Sequence, residues 1–303
     1  MEKFINFWKN LWSHITKFFK TNKTWLVFKD FWRRLTKSWS SKIGMILLLL
    51  IVLFCIFYPL FSPYGINDMA LENVNATPSL EHIAGCDSMG RDMLTRIAYG
   101  GRYSLLLGII SALVGALIGV AIGLVAGYIG GPVESVIMRI MDVWSSIPGM
   151  LLCIIISASF GGGFFTTIIA LTVGGIPGSV RMIRGQVLTE RSKEYIEAAE
   201  SINCSKLKIM FKHLLPNVIQ PVIVTTTMSI GGTIGMAASL AYIGLGVQPP
   251  TPEWGQMLSE GQADFMVYPH LILVPGLAIA LTILAINLVG DGLRDALDPK
   301  MRG

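Results

Sequence analysis

The sequence predicts an all-α membrane protein whose chain crosses the bilayer six times. Only 14% of its 303 residues are charged and 52% are hydrophobic, whereas a soluble domain usually carries about 25% charged residues. Five stretches contain no Asp, Glu, Lys or Arg: 43–67, 103–133, 143–180, 213–252 and 265–290. Each is long enough to supply the run of about 20 apolar residues that a helix needs to cross the hydrocarbon core.

Proline and glycine mark the ends of the predicted spans. Pro59 and Pro63 end the first span, and the glycines at 161–163 divide one long charge-free stretch in two. The six predicted spans are 43–61, 104–128, 135–160, 164–183, 218–240 and 269–290. Residues 63–102 are predicted to form a polar loop with a short helix near 91–97.

The first 42 residues interleave aromatic and basic side chains before the membrane domain at 43–303. Phe28, Phe31 and Trp32 share one helical face. Tryptophan favours the headgroup region of a bilayer and lysine favours anionic lipid. Residues 1–42 are therefore predicted to form interfacial helices on the inner leaflet, and the alternative is a basic tail that only fixes topology.

Lysine and arginine counts orient the chain. There are ten in 1–42, seven in 181–212 and three after Gly290, against three in 63–102 and none in 244–268. Because basic residues concentrate on the cytoplasmic side, both termini and residues 181–216 are predicted to be cytoplasmic, with the chain in the cytoplasmic membrane. The net charge of +5 thus indicates contact with membrane lipid rather than nucleic acid.

Small residues recur every four positions in the second predicted span. The set comprises Ser111, Gly115, Gly119, Gly123 and Gly127, and Gly231 with Gly235 repeats the spacing in the fifth span. Small residues at this spacing let another helix approach closely. They are predicted to pack helices together, and the pattern leaves open whether the contact also slides between inward and outward states.

The sequence excludes several functional classes. The charge-free stretches offer almost no ionisable groups for a proton-coupled transporter. There is no P-loop for ATP hydrolysis, and the four cysteines and isolated histidines have no metal-site or nucleophile spacing. The chain is therefore predicted to be neither an enzyme nor the holder of a metal or cofactor. It must obtain energy from a partner or act as a passive channel.

Residues 190–217 indicate where a partner could dock. Tyr195, Ala198 and Ala199 share one helical face with Ile202. A second amphipathic segment runs from Leu207 until proline stops it at 216. A short exposed helix between two spans suits a groove on another protein.

This stretch resembles the coupling loop of ABC-importer permeases, whose pattern is Glu-Ala-Ala, three residues, Gly, nine residues, Ile-x-Leu-Pro. The matching residues are Glu197, Ala198, Ala199, Leu215 and Pro216. Asn203 stands where the family usually has Gly, and His213 where it has Ile. Asparagine also tolerates a left-handed helix cap, so the turn is expected to survive.

Three further segments resemble the C-type permease of oligopeptide and dipeptide importers: 85–105, 244–258 and 290–299. The resemblance implies a type I ABC importer permease fold with a cytoplasmic coupling helix. It implies a heterodimer with a B-type permease, two ATPase subunits that hold ATP and Mg, and an external peptide-binding protein. The nearest alternative is a nickel or metal-chelate importer of the same branch. A passive channel or a membrane scaffold are more distant alternatives.

Charged residues of the segment 85–105 lie at the start of the predicted short outer helix. Among them are Asp87, Arg91 and Asp92, and Arg91 with Asp92 and Arg96 is predicted to form a surface charge cluster. The functional interpretation is contact with the binding protein or with the partner permease. The alternative is solvation, or capping of the helix by Asp87.

The predicted topology can be tested with Ser205, in the cytoplasmic loop 181–216. In a variant that lacks the four native cysteines, Ser205→Cys should react with an impermeant thiol reagent only after the cells are opened. Labelling of Ser205→Cys from outside intact cells would reverse the assignment.

Overall fold

The computed structural model describes residues 23–298, and within that range the chain is helical without a β-strand. We number the helices α1 (Lys23–Leu35), α2 (Trp39–Phe61), α3 (Met93–Ile129), α4 (Gly131–Ser145), α5 (Gly149–Phe160), α6 (Phe164–Arg191), α7 (Glu194–Ser201), α8 (Lys206–Tyr242), α9 (Trp254–Gly261) and α10 (His270–Leu297). Within α8, Ile209–Leu214 is a π-helical turn. The part of the predicted interfacial segment before residue 23 lies outside the described residues.

Five of these helices are long and apolar enough to cross a membrane: α2, α3, α6, α8 and α10. The pair α4 and α5 passes the same test only when it is counted together. Helices satisfy their backbone hydrogen bonds internally, which the hydrocarbon core demands. The predicted all-α class with several membrane helices is confirmed.

The predicted span 135–160 is divided into two helices that meet at an angle of 75°. The break falls between Ser145 and Gly149. Pro148 in this gap has no N–H to donate, and its ring disfavours helical geometry at the preceding residue. A span predicted from charge alone misses such a bend, because the hydropathy is continuous across it.

Helix α3 begins at Met93, eleven positions before the predicted span 104–128. The short outer helix expected near 91–97 is the first part of this one helix. Asp92 caps it, since its carboxylate accepts a hydrogen bond from the Thr95 backbone N–H. Gly101, inside the added part, lies so close to Cys55 and Trp254 that a Cβ there would overlap them.

The bundle is organised around α3, which packs along α6, α8 and α2, while α10 packs on α2 and α8. We call the end of the bundle that carries α7 the coupling end, and the end that carries α9 the loop end. Buried apolar residues form one cluster at the loop end, which includes Met93, Trp254 and Leu271. A second cluster at the coupling end includes Leu124, Ile183 and Val218.

The glycine pattern of α3 faces α6, but its members differ in how closely α6 approaches. A Cβ added at Gly119 would lie 2.6 Å from the Ser179 Cβ, and one added at Gly127 would lie 2.8 Å from the Val187 Cβ. At Gly115 the nearest atom would be 4.0 Å away. Helix α6 thus packs closely on the coupling end of the pattern. A sliding role stays a prediction.

The second glycine pair makes a looser contact. Cβ atoms added at Gly231 and Gly235 would lie 3.4 and 3.6 Å from their nearest neighbours on α10. These are ordinary van der Waals distances. The spacing of the two glycines alone does not distinguish this looser contact from the tight one in α3.

We expect Gly123→Ala to destabilise the protein and Gly115→Ala to leave it unchanged or slightly more stable. A methyl at Gly123 would lie 2.9 Å from the Val180 carbonyl oxygen, so a backbone must move. Overpacking of this kind costs about 1–3 kcal/mol, while alanine is intrinsically about 1 kcal/mol better than glycine in a helix. Thermal unfolding of both variants in detergent measures the difference. Equal melting temperatures would contradict the close contact.

Candidate functional site

Helix α7 lies across the coupling end and divides the predicted coupling residues between two faces. Ala199 is buried with 6% of its surface exposed, as is Ile196 with 1%. Glu197 and Ala198 are exposed. Ala199, although it matches the coupling pattern, therefore packs within the permease itself.

The buried face of α7 rests on three membrane helices. Ile196 and Ala199 belong to the cluster that contains Tyr128 of α3, Val187 of α6 and Met210 of α8. The Tyr128 hydroxyl also donates a hydrogen bond of 3.3 Å to a Glu200 carboxylate oxygen. A displacement of α7 would therefore disturb its contacts with all three helices.

Asn203 ends α7 in the left-handed conformation, with φ of 59°. Its backbone N–H donates to the Glu200 carbonyl at 2.9 Å, and the Cys204 N–H donates to the Ala199 carbonyl at 3.1 Å. This pair of bonds is a Schellman motif. The expected survival of the left-handed turn, despite the absence of glycine, is confirmed.

A polar network fixes the other end of α7. The Tyr195 hydroxyl donates to Glu190 at 2.6 Å and accepts a bond of 3.1 Å from the Asn217 amide. Lys193 also contacts Glu190, at 2.6 Å. Burial and the hydrogen bond to Glu190 raise the pKa of Tyr195 to about 12. Tyr195 therefore stays protonated and donating at neutral pH, tying α6 to α8.

The end of the coupling pattern lies inside α8. Leu215 is half-buried and Pro216 is exposed, and both directly follow the π-helical turn. Proline cannot donate to the carbonyl four residues earlier, and its ring crowds that carbonyl. The wider π turn relieves this crowding while the helix continues.

Exposed side chains around α7 form a mixed apolar and acidic surface. We call it the docking face: Glu197, Ala198, Ile202, Leu207 and Phe211. The three larger apolar residues are 60–76% exposed. The sequence pattern predicts only that these residues lie on amphipathic segments, since periodicity does not reveal which face the protein itself covers.

The outer charged residues are buried, contrary to the predicted surface cluster. Arg91 and Arg96 are each 1% exposed, Asp92 4% and Asp87 5%. The Arg91 Nε lies 2.6 Å from Asp87, and Nη2 atoms of Arg91 and Arg96 lie 3.1 and 3.2 Å from Glu260. Two guanidinium groups and two carboxylates thus compensate each other. Contact of these residues with a partner stays a prediction that their burial does not favour.

Capping is performed by Asp92 rather than by Asp87. One Asp92 oxygen accepts from the Thr95 N–H at 2.8 Å, and the other lies 3.0 Å from the His82 Nδ1. Asp87 accepts instead from the backbone of Met89 and Arg91. Both carboxylates therefore organise the loop that precedes α3.

Glu260, on α9, was not predicted as part of this cluster. It pairs with Arg91, which lies 169 positions earlier in the sequence, and so completes the cluster. The loop 244–268 carries only acidic charges, but the loop 63–102 carries five acidic residues beside its three arginines. The net charges of the two loops therefore gave no signal for a contact between them.

A second set of hydrogen bonds holds α9 to α3 beside this cluster. The Ser104 hydroxyl donates to the Glu253 carboxylate at 2.6 Å, and the Trp254 indole N–H donates to the Ile97 carbonyl at 2.9 Å. Burial raises the pKa of Glu253, although the hydrogen bonds from Ser104 and from backbone amides partly offset this. The segment from 252 to 261 is thus fixed on the loop end.

Two family models match the chain. Residues 119–303 match the binding-protein-dependent transport system inner membrane component, and residues 26–78 match the N-terminal TM domain of oligopeptide transport permease C. The chain belongs to the permeases of binding-protein-dependent ABC importers, in the oligopeptide branch. Members of this family are non-catalytic membrane subunits, and partner ATPases hydrolyse the ATP. The resemblance stated from the sequence is confirmed.

Named relatives include the glutathione transport system permease protein GsiD of Shigella flexneri, 45% identical over 90% of this chain and 91% of that protein. The Escherichia coli permease of the same name is 44% identical over the same shares. Among solved structures, the inward-facing MetNI methionine ABC transporter matches 68% of this chain and 98% of its own, with a TM-score of 0.58 and 20% identity. That likeness establishes the importer permease fold.

We expect Arg91→Glu to reduce the amount of folded permease, because it places a third carboxylate in a buried cluster. Breaking a buried ion pair costs about 3–5 kcal/mol. The control is Glu72→Lys, which reverses an exposed charge in the same loop. Immunoblots of membranes and melting temperatures in detergent provide the measurement. A well-folded Arg91→Glu protein with defective uptake would instead favour partner contact.

Proposed function

We propose that this permease carries small peptides, glutathione among them, across the cytoplasmic membrane. The observation that supports this most is the 45% identity, over nine-tenths of the chain, to permeases named for glutathione transport. Glutathione is itself a small peptide. The named relatives thus favour a peptide over a metal chelate as the transported substrate.

The complete importer in this proposal contains four further subunits. A B-type permease pairs with this chain, two cytoplasmic ATPases hold ATP and Mg, and an external binding protein delivers the peptide. Both termini and α7 lie in the cytoplasm, which the basic residues of 181–212 support. The family's binding-protein dependence and oligopeptide branch support this composition.

The contacts that hold α7 support its role in coupling ATPase motion to the membrane helices. Its docking face is exposed, while Ile196 and Ala199 are buried against α3, α6 and α8. The Asn203 cap and the Tyr195 network restrain both ends of α7. When an ATPase subunit moves the docking face, α7 transmits that motion as a rigid lever to the three helices.

A groove of mixed polarity among α3, α6 and α8 supports a path for a hydrogen-bonding substrate. It has a volume of about 220 Å³, and its lining includes Ser179, Thr225, Thr226 and Ser229. Hydroxyl groups can bond to peptide amides, and the lining among the described residues contains no charge. Such a surface accepts a peptide backbone without selecting the charge of its side chains, which leaves selection to the binding protein.

Transport by the reconstituted importer tests the proposed function. Proteoliposomes that contain both permeases and the ATPases should take up labelled glutathione or a dipeptide when ATP and the binding protein are present. Mass spectrometry of ligands carried by the purified binding protein gives an independent result. A bound nickel chelate, with no peptide uptake, would transfer the assignment to metal import.

The exposed and buried alanines provide a matched test of coupling. We expect Ala198→Leu to preserve the melting temperature of the permease pair but to lower peptide-stimulated ATP hydrolysis, because Ala198 is exposed on the docking face. Ala199→Leu should lower the melting temperature, because overpacking a buried site costs about 1–3 kcal/mol. Identical behaviour of the two variants would contradict the division of α7 into two faces.

Charge reversal at Glu197 tests the same interface without added bulk. Glu197→Lys should reduce stimulated ATPase activity about tenfold, since a close interfacial charge pair carries roughly 1.5 kcal/mol or more. Glu72→Lys, at the loop end, is the control. Wild-type stimulation in an assembled Glu197→Lys complex would show that Glu197 does not participate in coupling.

A further inference from the structure

A groove of about 640 Å³ lies on α2 near its first turns, bounded by α1 and α10. Its lining includes Thr36, Lys42, Met45, Leu49, Val52 and Val289. Helix α10 packs on both α1 and α2, so three helices hold its shape. The groove is separate from the docking face and from the groove among α3, α6 and α8.

The groove has the length of one leaflet's hydrocarbon. Lys42 and Val52 are ten residues apart on α2, which corresponds to about 15 Å of helix. This is half of the roughly 30 Å hydrocarbon core of a bilayer. Met45, Leu49 and Val52 provide apolar walls over this distance. An acyl chain of one leaflet therefore matches the groove in both length and polarity.

The end of the groove nearest α1 is basic. Lys42 is the one charged residue in the groove lining among the described residues, and its ammonium lies 4.8 Å from the centre of the Trp39 ring. The last turn of α1 carries Arg33 and Arg34. Residues 23–42 contain six basic side chains and one acidic side chain. This distribution is complementary to an anionic headgroup.

We propose that the groove binds one anionic phospholipid from the leaflet that meets α1. An acyl chain packs against Met45, Leu49 and Val52, and Lys42 pairs with the headgroup phosphate. A zwitterionic lipid offers the same chain but no net negative charge to the basic end of the groove. The site is independent of which solute the permease carries.

Native mass spectrometry of the complete importer tests the headgroup preference. The complex is titrated in detergent with phosphatidylglycerol or phosphatidylcholine, and phosphatidylglycerol should bind more tightly. Lys42→Gln should weaken phosphatidylglycerol binding about fivefold, the value of one surface cation, and leave phosphatidylcholine binding unchanged. Lys208→Gln, which removes an exposed cation at the coupling end, should change neither.

A second variant tests the acyl contact. Leu49→Trp should fill the groove and weaken the binding of both lipids, while its melting temperature in lipid-free detergent stays that of the wild type, because Leu49 is 57% exposed. A photoreactive residue at Leu49 should crosslink to lipid. Equal binding of the two lipids by the wild type, unaltered binding by Lys42→Gln, or crosslinking of Leu49 to residues 1–22 would overturn the proposal.

Discussion

The close approach of α3 and α6 is the contact on which the rest of the bundle depends. Near Gly119, Gly123 and Gly127, α6 comes so close that a single added methyl would overlap it. The tight contact ends beside Tyr128 and Val187, which form part of the seat of α7. The residues on which α7 rests therefore adjoin the close contact between α3 and α6.

Helix α3 also connects the two ends of the molecule. Its 37 residues correspond to about 55 Å of helix, more than the hydrocarbon core requires. At the loop end its first turns are held by the Asp92 cap and by the bonds of Trp254 and Glu260. At the coupling end Tyr128 bonds to Glu200. Motion of either end is thus linked to the other through one continuous element.

Sequence reasoning located what depends on local chemistry and missed what depends on partners distant in the chain. Charge-free stretches revealed the apolar part of each membrane helix, and Asn203 revealed the left-handed cap. The burial of Arg91 could not be seen from its neighbours, because Glu260 neutralises it across two loops. Similarly, a helical pattern places Ala198 beside Ala199 but cannot say which of them the permease covers. Pro148 is present in the sequence, but the hydropathy is continuous across the bend, so the pattern predicted a single span.

The exposed apolar residues of the docking face also bear on assembly in the cell. Ile202, Leu207 and Phe211 are largely uncovered in the isolated chain, and apolar surface of this kind is a mark of an interaction site or an aggregation hazard. A permease made in excess of its ATPases would display this patch to chaperones and proteases. Under the proposed docking, an ATPase that covers these side chains would remove that hazard.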